Sequence, residues 1–432
     1  MKNALGMAVF AAVFCALAGY GAPGFDLGEH FSDTNSWMQT ADAFVAAHRS
    51  AGFKIGDEKK TSADCLVRGT CTWNGLEVWE ARVYFAEGGV QRVEMSLYNR
   101  GDDKSGGMGP DALNGLLAKI REAVPAELGK PGSTKSEKPQ RGSVVKRQTW
   151  KKPKGKVDIE LAWGETGNSK ADTHADFARV VLTSRFFGAK KAAKKVKSAR
   201  GAKGNVRREE NGDVWIDNVP MVDQGQKGYC AAATAERVLR YYGHPVDEHE
   251  IAQIAGTTAQ GGTSTDAMRE TVRKAASKYR LGYNEIVDMN GDPQKAIKAY
   301  NSAAKRLKKP EISYGQFLRG NTFMIGDMIA AMQPDVIKEM REKDFRAKMF
   351  VKKVREQIDK GNPVFWSVTL GIWREPGLPQ QNGGHMRLII GYNKKTNEIL
   401  YSDSWGAAHA LKRMPGDWAF AITDSAFFLR TL

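Results

Sequence analysis

Residues 223–243 read DQGQKGYCAAATAERVLRYYG, and the fold of the C-terminal half turns on this stretch. Ala233, Val238, Leu239 and Tyr242 bring apolar side chains at helical spacing, and Gly243 is a stop signal. The spacing predicts a helix over Cys230–Tyr242. Cys230 then opens the helix, directly after Gly228-Tyr229. Free N–H groups and the positive end of the helix dipole stabilise a thiolate at such a position. Gly228 lets the chain turn sharply into the helix. A reactive thiol also needs a base, and the base needs an orienting group.

His385 is the best base. It follows the loop Asn382-Gly383-Gly384 and opens the strand-like run MRLIIGYN, residues 386–393. Asp403 lies in YSDSWG, residues 401–406, at the end of the next strand-like run. Consecutive strands usually pair, so Asp403 can reach one imidazole nitrogen and set its tautomer. Acyl transfer further requires oxyanion donors. The backbone N–H of Cys230 is one, and the amide of Gln224, six residues upstream, is a second. The competing histidines are placed less well. His244 falls in a helix-ending turn, His249 on a polar second helix and His409 in a loop, while Asp223 and Asp266 read as turn or cap residues.

Together these segments resemble the papain-like cysteine peptidases. QGQKGYC has their Gln-Gly-x-x-Gly-x-Cys arrangement, HMRLIIGYN resembles their His strand, and SDSWG resembles their Asn-Ser-Trp-Gly segment. The helix AAATAERVLRYYG, the segments Gly256-Thr257 and Gly261–Ser264, and Asp in place of Asn are similar to the bacterial branch related to double-glycine-leader peptidases. The resemblance covers roughly Val219–Leu432. It implies a two-lobed fold and hydrolysis of a peptide or related amide bond through a thioester. Carried over, Cys230 is the nucleophile, His385 the acid/base, Asp403 the orienter, Gln224 an oxyanion donor and Trp405 a shield over the His–Asp bond. Ala231 departs from the aromatic residue that follows the nucleophile in papain itself. Asn284–Asp344 reads as an insertion or variable lobe, without a recognisable specificity pocket.

Working outward, helices are expected over Asp247–Ala255, Ser264–Tyr279 and Asp344–Lys360, and strands over Val364–Leu370, Met386–Tyr392, Glu398–Ser402 and Trp418–Ile422. Helices first and a sheet after suggest two segregated halves with a cleft between them. Upstream, Leu76–Phe85 and Val90–Leu97 alternate as strands around Glu87-Gly88-Gly89, Pro110–Val124 reads as a helix, and Val157–Trp163 and Phe177–Phe187 as further strands. No catalytic constellation emerges there, and His48 and His174 are isolated.

The 432 residues carry 65 Lys+Arg against 49 Asp+Glu, a net charge of +16. With 41% apolar and 26% charged residues, the composition is that of a foldable globular chain. The excess charge is local. Lys135–Lys156 holds nine basic residues and one acid, and Lys190–Arg208 holds nine basic residues and no acid. No aromatic residues interleave the second run, as a stacking platform for single-stranded nucleic acid needs. An anionic envelope surface is therefore the expected partner of both segments, beside a peptide or protein substrate, and no specific nucleic acid. Met1–Ala18 reads as a secretory signal peptide with a small-x-small site at Ala16–Ala18, giving a secreted or cell-envelope protein without a transmembrane span in its mature chain. In such a compartment Cys65 and Cys71 are expected to form a disulfide, leaving Cys230 unpaired.

The resulting expectation is an α+β protein: signal peptide 1–18, an N-terminal α+β accessory domain 26–188, a basic linker 189–211, and a papain-like two-lobed peptidase domain 212–432. The mechanism requires no metal or organic cofactor. The alternatives are a transglutaminase-type acyltransferase with the same Cys-His-Asp set, and a non-catalytic envelope-binding protein that keeps the fold. The N-terminal unit could also be an inhibitory pro-region released at the basic linker.

Overall fold

The computed structural model describes residues 24–432 apart from Lys170, residues 188–195, Lys197, Gln226, Pro245, residues 260–263, Asn290 and Gln381. The expected signal peptide and much of the basic linker lie outside the described residues. Among the described residues, no helix is long and apolar enough to cross a membrane.

The N-terminal half is built on an eight-stranded sheet whose central strands are Glu80–Ala86, Gly89–Asn99, His174–Ser184 and Val157–Thr166, paired in that order. Alternation along Glu80–Ala86 divides its side chains. Ala81, Val83 and Phe85 enter an apolar core that the helix Pro110–Ala123 covers with Leu113, Leu117 and Ile120. Glu80, Arg82 and Tyr84 point to the other face. The expected strand Leu76–Phe85 is split at Trp79, and its first part, Leu76–Val78, joins a small three-stranded sheet. Cys65 and Cys71, the pair expected to form a disulfide, are both buried and their side chains interact with each other, and the structure records no bond between the two sulfurs. Cys65 ends a strand of the large sheet and Cys71 starts a strand of the small one. The Cys65 sulfur also contacts the Ala51 carbonyl at 3.2 Å and the Thr70 hydroxyl at 3.0 Å.

The C-terminal half has its own sheet: β1 (Val206–Arg208), β2 (Asp213–Ile216), β3 (Leu281–Asp288), β4 (Val364–Leu370), β5 (Gly383–Asn393), β6 (Glu398–Ser402), β7 (Lys412–Pro415) and β8 (Thr423–Thr431). The order is β1-β2-β5-β4-β8-β3, with β6 also paired to β5 and β7 to β6. Helices α1 (Cys230–Tyr241), α2 (Glu248–Ala255), α3 (Thr265–Lys278) and α4 (Arg346–Asp359) pack with it around one large apolar core. Two expectations fail here. Trp418–Ile422 is not a strand: Gly416–Ala421 is helical and the strand is β8. A short aromatic run of that length fits either a strand or a buried helical turn, so its pattern does not decide between them. The second half of the expected linker is also folded, because β1 pairs with β2 and Val196 and Ala202 are buried in the C-terminal core. Between β3 and α4, the helices Pro293–Leu307 and Pro334–Glu342 enclose a further small core.

The two halves meet through charge. Helix α2 lies against the polar face of the N-terminal sheet. There Arg82 pairs with Glu248 at 2.8 Å, Arg179 with Asp247 and with Glu250 at 2.9 Å, and Lys227 with Glu80 and with Glu248 at 3.3 Å. His249 lies between Glu80, at 2.7 Å, and Asp247, at 3.1 Å. Glu80, Glu248 and His249 come close enough to share an ion, but Lys227 and Arg82 already neutralise both carboxylates. Part of the basic excess is spoken for too: Lys146 pairs with Glu165 at 2.7 Å, and Arg147 with Glu250 at 2.5 Å.

Burial pushes the His249 imidazole down, but Asp247 and Glu80 outweigh this and hold it up at about 9. A group whose pKa rises on folding stabilises the native state fully below its unfolded pKa and loses that contribution as pH climbs through the folded value. Thermal unfolding should therefore show stability falling as pH rises from about 6.5 to about 9, by on the order of 3 kcal/mol in all, and His249→Gln should flatten that slope. An unchanged slope in His249→Gln would remove His249 as its source.

Candidate active site

Cys230 is the first residue of α1, and Tyr229 before it offers no side-chain cap. Backbone N–H groups of Ala231 and Met386 interact favourably with the sulfur. His385 lies on β5, whose pairing with β6 sets Leu388 opposite Ser402. Continuing that register by one residue brings Asp403 opposite Arg387, diagonal to His385 on the same face. The structure accordingly brings His385 Nε2 to 2.9 Å from Asp403 Oδ1, with both side chains fully buried. Nδ1 makes no hydrogen bond of ordinary geometry, yet its ring and the Cys230 thiol shift each other's ionisation.

Burial pushes the Cys230 thiol up, but its interaction with His385 outweighs this and holds the thiol below its ordinary value. Burial pushes the imidazole down, and the hydrogen bond with Asp403 and the interaction with Cys230 reverse the sign. A lowered thiol and a raised imidazole together favour a thiolate–imidazolium pair. Trp405 stacks flat on His385, with ring centroids 4.1 Å apart and planes 6° apart. Gln224 is buried; its backbone N–H donates to Ser404 O at 2.8 Å and its Nε2 to Lys227 O at 3.1 Å. Its Oε1 has no hydrogen-bond partner. The structure thus gathers Cys230, His385 and Asp403, with Gln224 tied to the residue after Asp403.

The other histidines lie elsewhere. His244 stacks on Tyr279, His249 belongs to the charged junction, and the His409 ring meets Trp405 edge-on while its carbonyl accepts from the Asp403 N–H at 3.0 Å. Asp223 N-caps nothing; its carboxylate accepts from Lys54 at 2.9 Å and from the Gly225 N–H at 3.0 Å.

Two arginines escaped the sequence reading. Arg237, two turns along α1 from Cys230, donates to Pro220 O, Asp403 O and Ser402 Oγ at 2.7, 3.1 and 2.6 Å. It ties the cysteine helix to the aspartate segment. Arg387 is wholly buried and donates Nε to the same Asp403 oxygen that His385 contacts, at 3.0 Å, and Nη1 to Glu375 at 2.8 Å. Tyr401 closes the set with its hydroxyl on Glu375. One signal for Arg387 was available: it stands two residues after His385, on the same face of a strand. Burial pushes Asp403 up, but the His385 hydrogen bond and the Arg387 charge hold it below the usual carboxylate value.

Asp403 therefore divides its charge between an imidazole and a guanidinium. Asp403→Asn withdraws the anion that raises His385, so the alkaline limb of Cys230 alkylation should move to lower pH. Arg387→Met combined with Glu375→Gln removes a cation and an anion together and leaves Asp403 to His385, so the same limb should move to higher pH. Each displacement should be about one pH unit. Iodoacetamide alkylation rates across pH read both, and displacements of the same sign would contradict this electrostatic arrangement.

The sequence model of the Peptidase_C39 like family matches residues 216–311 and 299–423. No curated protein matches the chain. Among solved structures, the chain is similar to the peptidase domain of ComA from Streptococcus, described as a bifunctional ABC transporter involved in a quorum-sensing pathway. The identity is 12% and the TM-score 0.25, and the match covers 50% of this chain and 100% of that one. It is also similar to xylellain, a cysteine protease from Xylella fastidiosa, at 12% identity and TM-score 0.26, over 56% of this chain and 100% of that one. The resemblance of the C-terminal half to papain-like cysteine peptidases of the C39 branch is borne out by the family match.

Proposed function

We propose that the protein is an exported cysteine peptidase that hydrolyses peptide bonds through a Cys230 thioester. One observation carries the reading: a thiol lowered in pKa by His385, whose other nitrogen lies 2.9 Å from the buried Asp403. The Cys230 thiolate attacks the scissile carbonyl carbon. The tetrahedral oxyanion accepts from the Cys230 backbone N–H and from the N–H of Gln224 Nε2 that Lys227 O leaves free. His385 Nδ1–H gives its proton to the departing amine as the C–N bond breaks, leaving the thioester. Water then attacks, His385 takes its proton, and the C–S bond breaks to release the acid and restore the thiolate. Asp403 keeps the imidazole in the tautomer and orientation that this requires. Substrates are peptides or proteins. Export rests on the run Met1–Ala18, and the basic segments Lys135–Lys156 and Lys190–Arg208 serve attachment to an anionic surface.

The test labels wild type and Cys230→Ala with an iodoacetamide or epoxide thiol probe and reads intact mass, then profiles cleavage of a peptide library. Labelling should be lost in Cys230→Ala together with all turnover. Equal labelling of the two proteins, or cleavage that survives in Cys230→Ala, would overturn the reading. A free carboxylate product in the presence of an added primary amine separates hydrolysis from acyl transfer.

A further inference from the structure

The segment that carries the proposed oxyanion donors is gripped at three residues by the other half of the chain. Asp223 receives Lys54 on its carboxylate at 2.9 Å and Arg82 on its carbonyl oxygen. Lys227 is buried to 1% side-chain exposure, with its ammonium held by Glu80. Tyr229 is buried against Gly101 so closely that a β-carbon at Gly101 would overlap its ring. The Gly101 N–H also serves the Tyr229 hydroxyl. The Lys227 ammonium lies 4.9 Å over the Tyr229 ring, which ties two of these holds together. Gln224 depends on them directly, because its Nε2 is anchored on the carbonyl of Lys227. By contrast, among the described residues no hydrogen bond or ion pair from the N-terminal half reaches Cys230, His385 or Asp403.

We propose that the N-terminal half is a permanent part of the catalytic centre, which holds Asp223–Tyr229 through Lys54, Glu80, Arg82 and Gly101 and so positions the oxyanion donors. This rests on the peptidase reading above. These residues are positioning residues: they touch the loop and not the substrate. The arrangement differs from that of a pro-region in two ways. A pro-region covers the reacting groups and leaves without damage to them, whereas these contacts avoid the reacting groups. Separation of the halves would also break the Arg82–Glu248 and Lys227–Glu80 pairs and take Gly101 and Arg82 away from Tyr229 and Asp223, leaving the segment without its holds. Removal of the N-terminal half should therefore silence the enzyme, not release it.

The geometry separates two measurable properties. Alkylation of Cys230 needs the thiolate–imidazolium pair and passes through no oxyanion. Peptide hydrolysis needs both. In the full-length chain, Gly101→Ala should lower kcat for a cleaved peptide about tenfold to a hundredfold, with KM within about threefold and the pH profile of iodoacetamide alkylation unchanged. Glu80→Gln, which is isosteric, should act in the same direction and serves if Gly101→Ala loses its thermal transition. Arg147→Met breaks a contact between the halves at Glu250, away from the loop, and should keep the wild-type kcat. Unchanged or increased kcat in a folded Gly101→Ala or Glu80→Gln protein would overturn the proposal. So would a parallel fall in alkylation and turnover, or an equal loss in Arg147→Met. Wild type that labels at Cys230 and cleaves peptides while the variants lose nothing defeats this proposal alone. Wild type without labelling or turnover defeats the peptidase reading and this proposal with it.

Discussion

The carboxylate of Asp403 is buried without access to water, and the arrangement of the C-terminal half follows from the need to balance that charge. An isolated anion in such a place costs several kcal/mol. Here one oxygen meets His385 and Arg387 together, at 2.9 and 3.0 Å. Arg387 in turn requires an anion for its remaining charge and finds Glu375, and Glu375 takes the Tyr401 hydroxyl. The backbone of the same segment is bound by Arg237 from the cysteine helix. One buried negative charge thus links α1, β5, β6 and the loop before β5, the elements on which Cys230 and His385 sit.

A second set of buried charges does comparable work between the halves. Glu80, Arg82 and Tyr84 alternate with Ala81, Val83 and Phe85, a pattern that ordinarily marks a strand with one face in water. In the folded chain that face is covered by α2 and by the segment leading to Cys230. Arg82, Lys227, Glu248 and His249 are all nearly inaccessible. Such an interface is specific rather than strongly adhesive: its ionic pairs roughly offset their own desolvation, but any mismatched register leaves a bare charge. Specificity of position is what a loop carrying oxyanion donors needs.

The legibility of these features in the sequence was uneven for physical reasons. Cys230, His385 and Asp403 stand at or near element ends, and Gln224 in the loop that leads into α1, where Gly-rich turns and the switch from helical to strand periodicity announce themselves locally. The helices 230–241, 248–255, 265–278 and 346–359 were expected within one or two residues of their observed ends. Trp418–Ile422 was misread because five residues cannot separate a buried turn of helix from a strand. Arg387 was passed over because a charged residue inside an apolar strand reads as an edge or an exception until its anion is known. Glu375 is twelve residues earlier, in a loop with no period at all.

The sequence by itself determined the residue types and their order: a thiol at a helix start, a histidine at a strand mouth, a carboxylate at the end of the next strand. Those depend on neighbours close in the chain, and local spacing encodes them. Tertiary structure alone decided what meets the polar face of the N-terminal sheet, because polar residues facing water and polar residues facing a complementary charged surface obey the same alternation. It also decided that Asp403 shares its charge with Arg387, and that Gly101, 129 positions from Cys230 in the chain, lies against the residue beside it. Contacts of that kind arise from packing between distant segments, for which no local pattern exists.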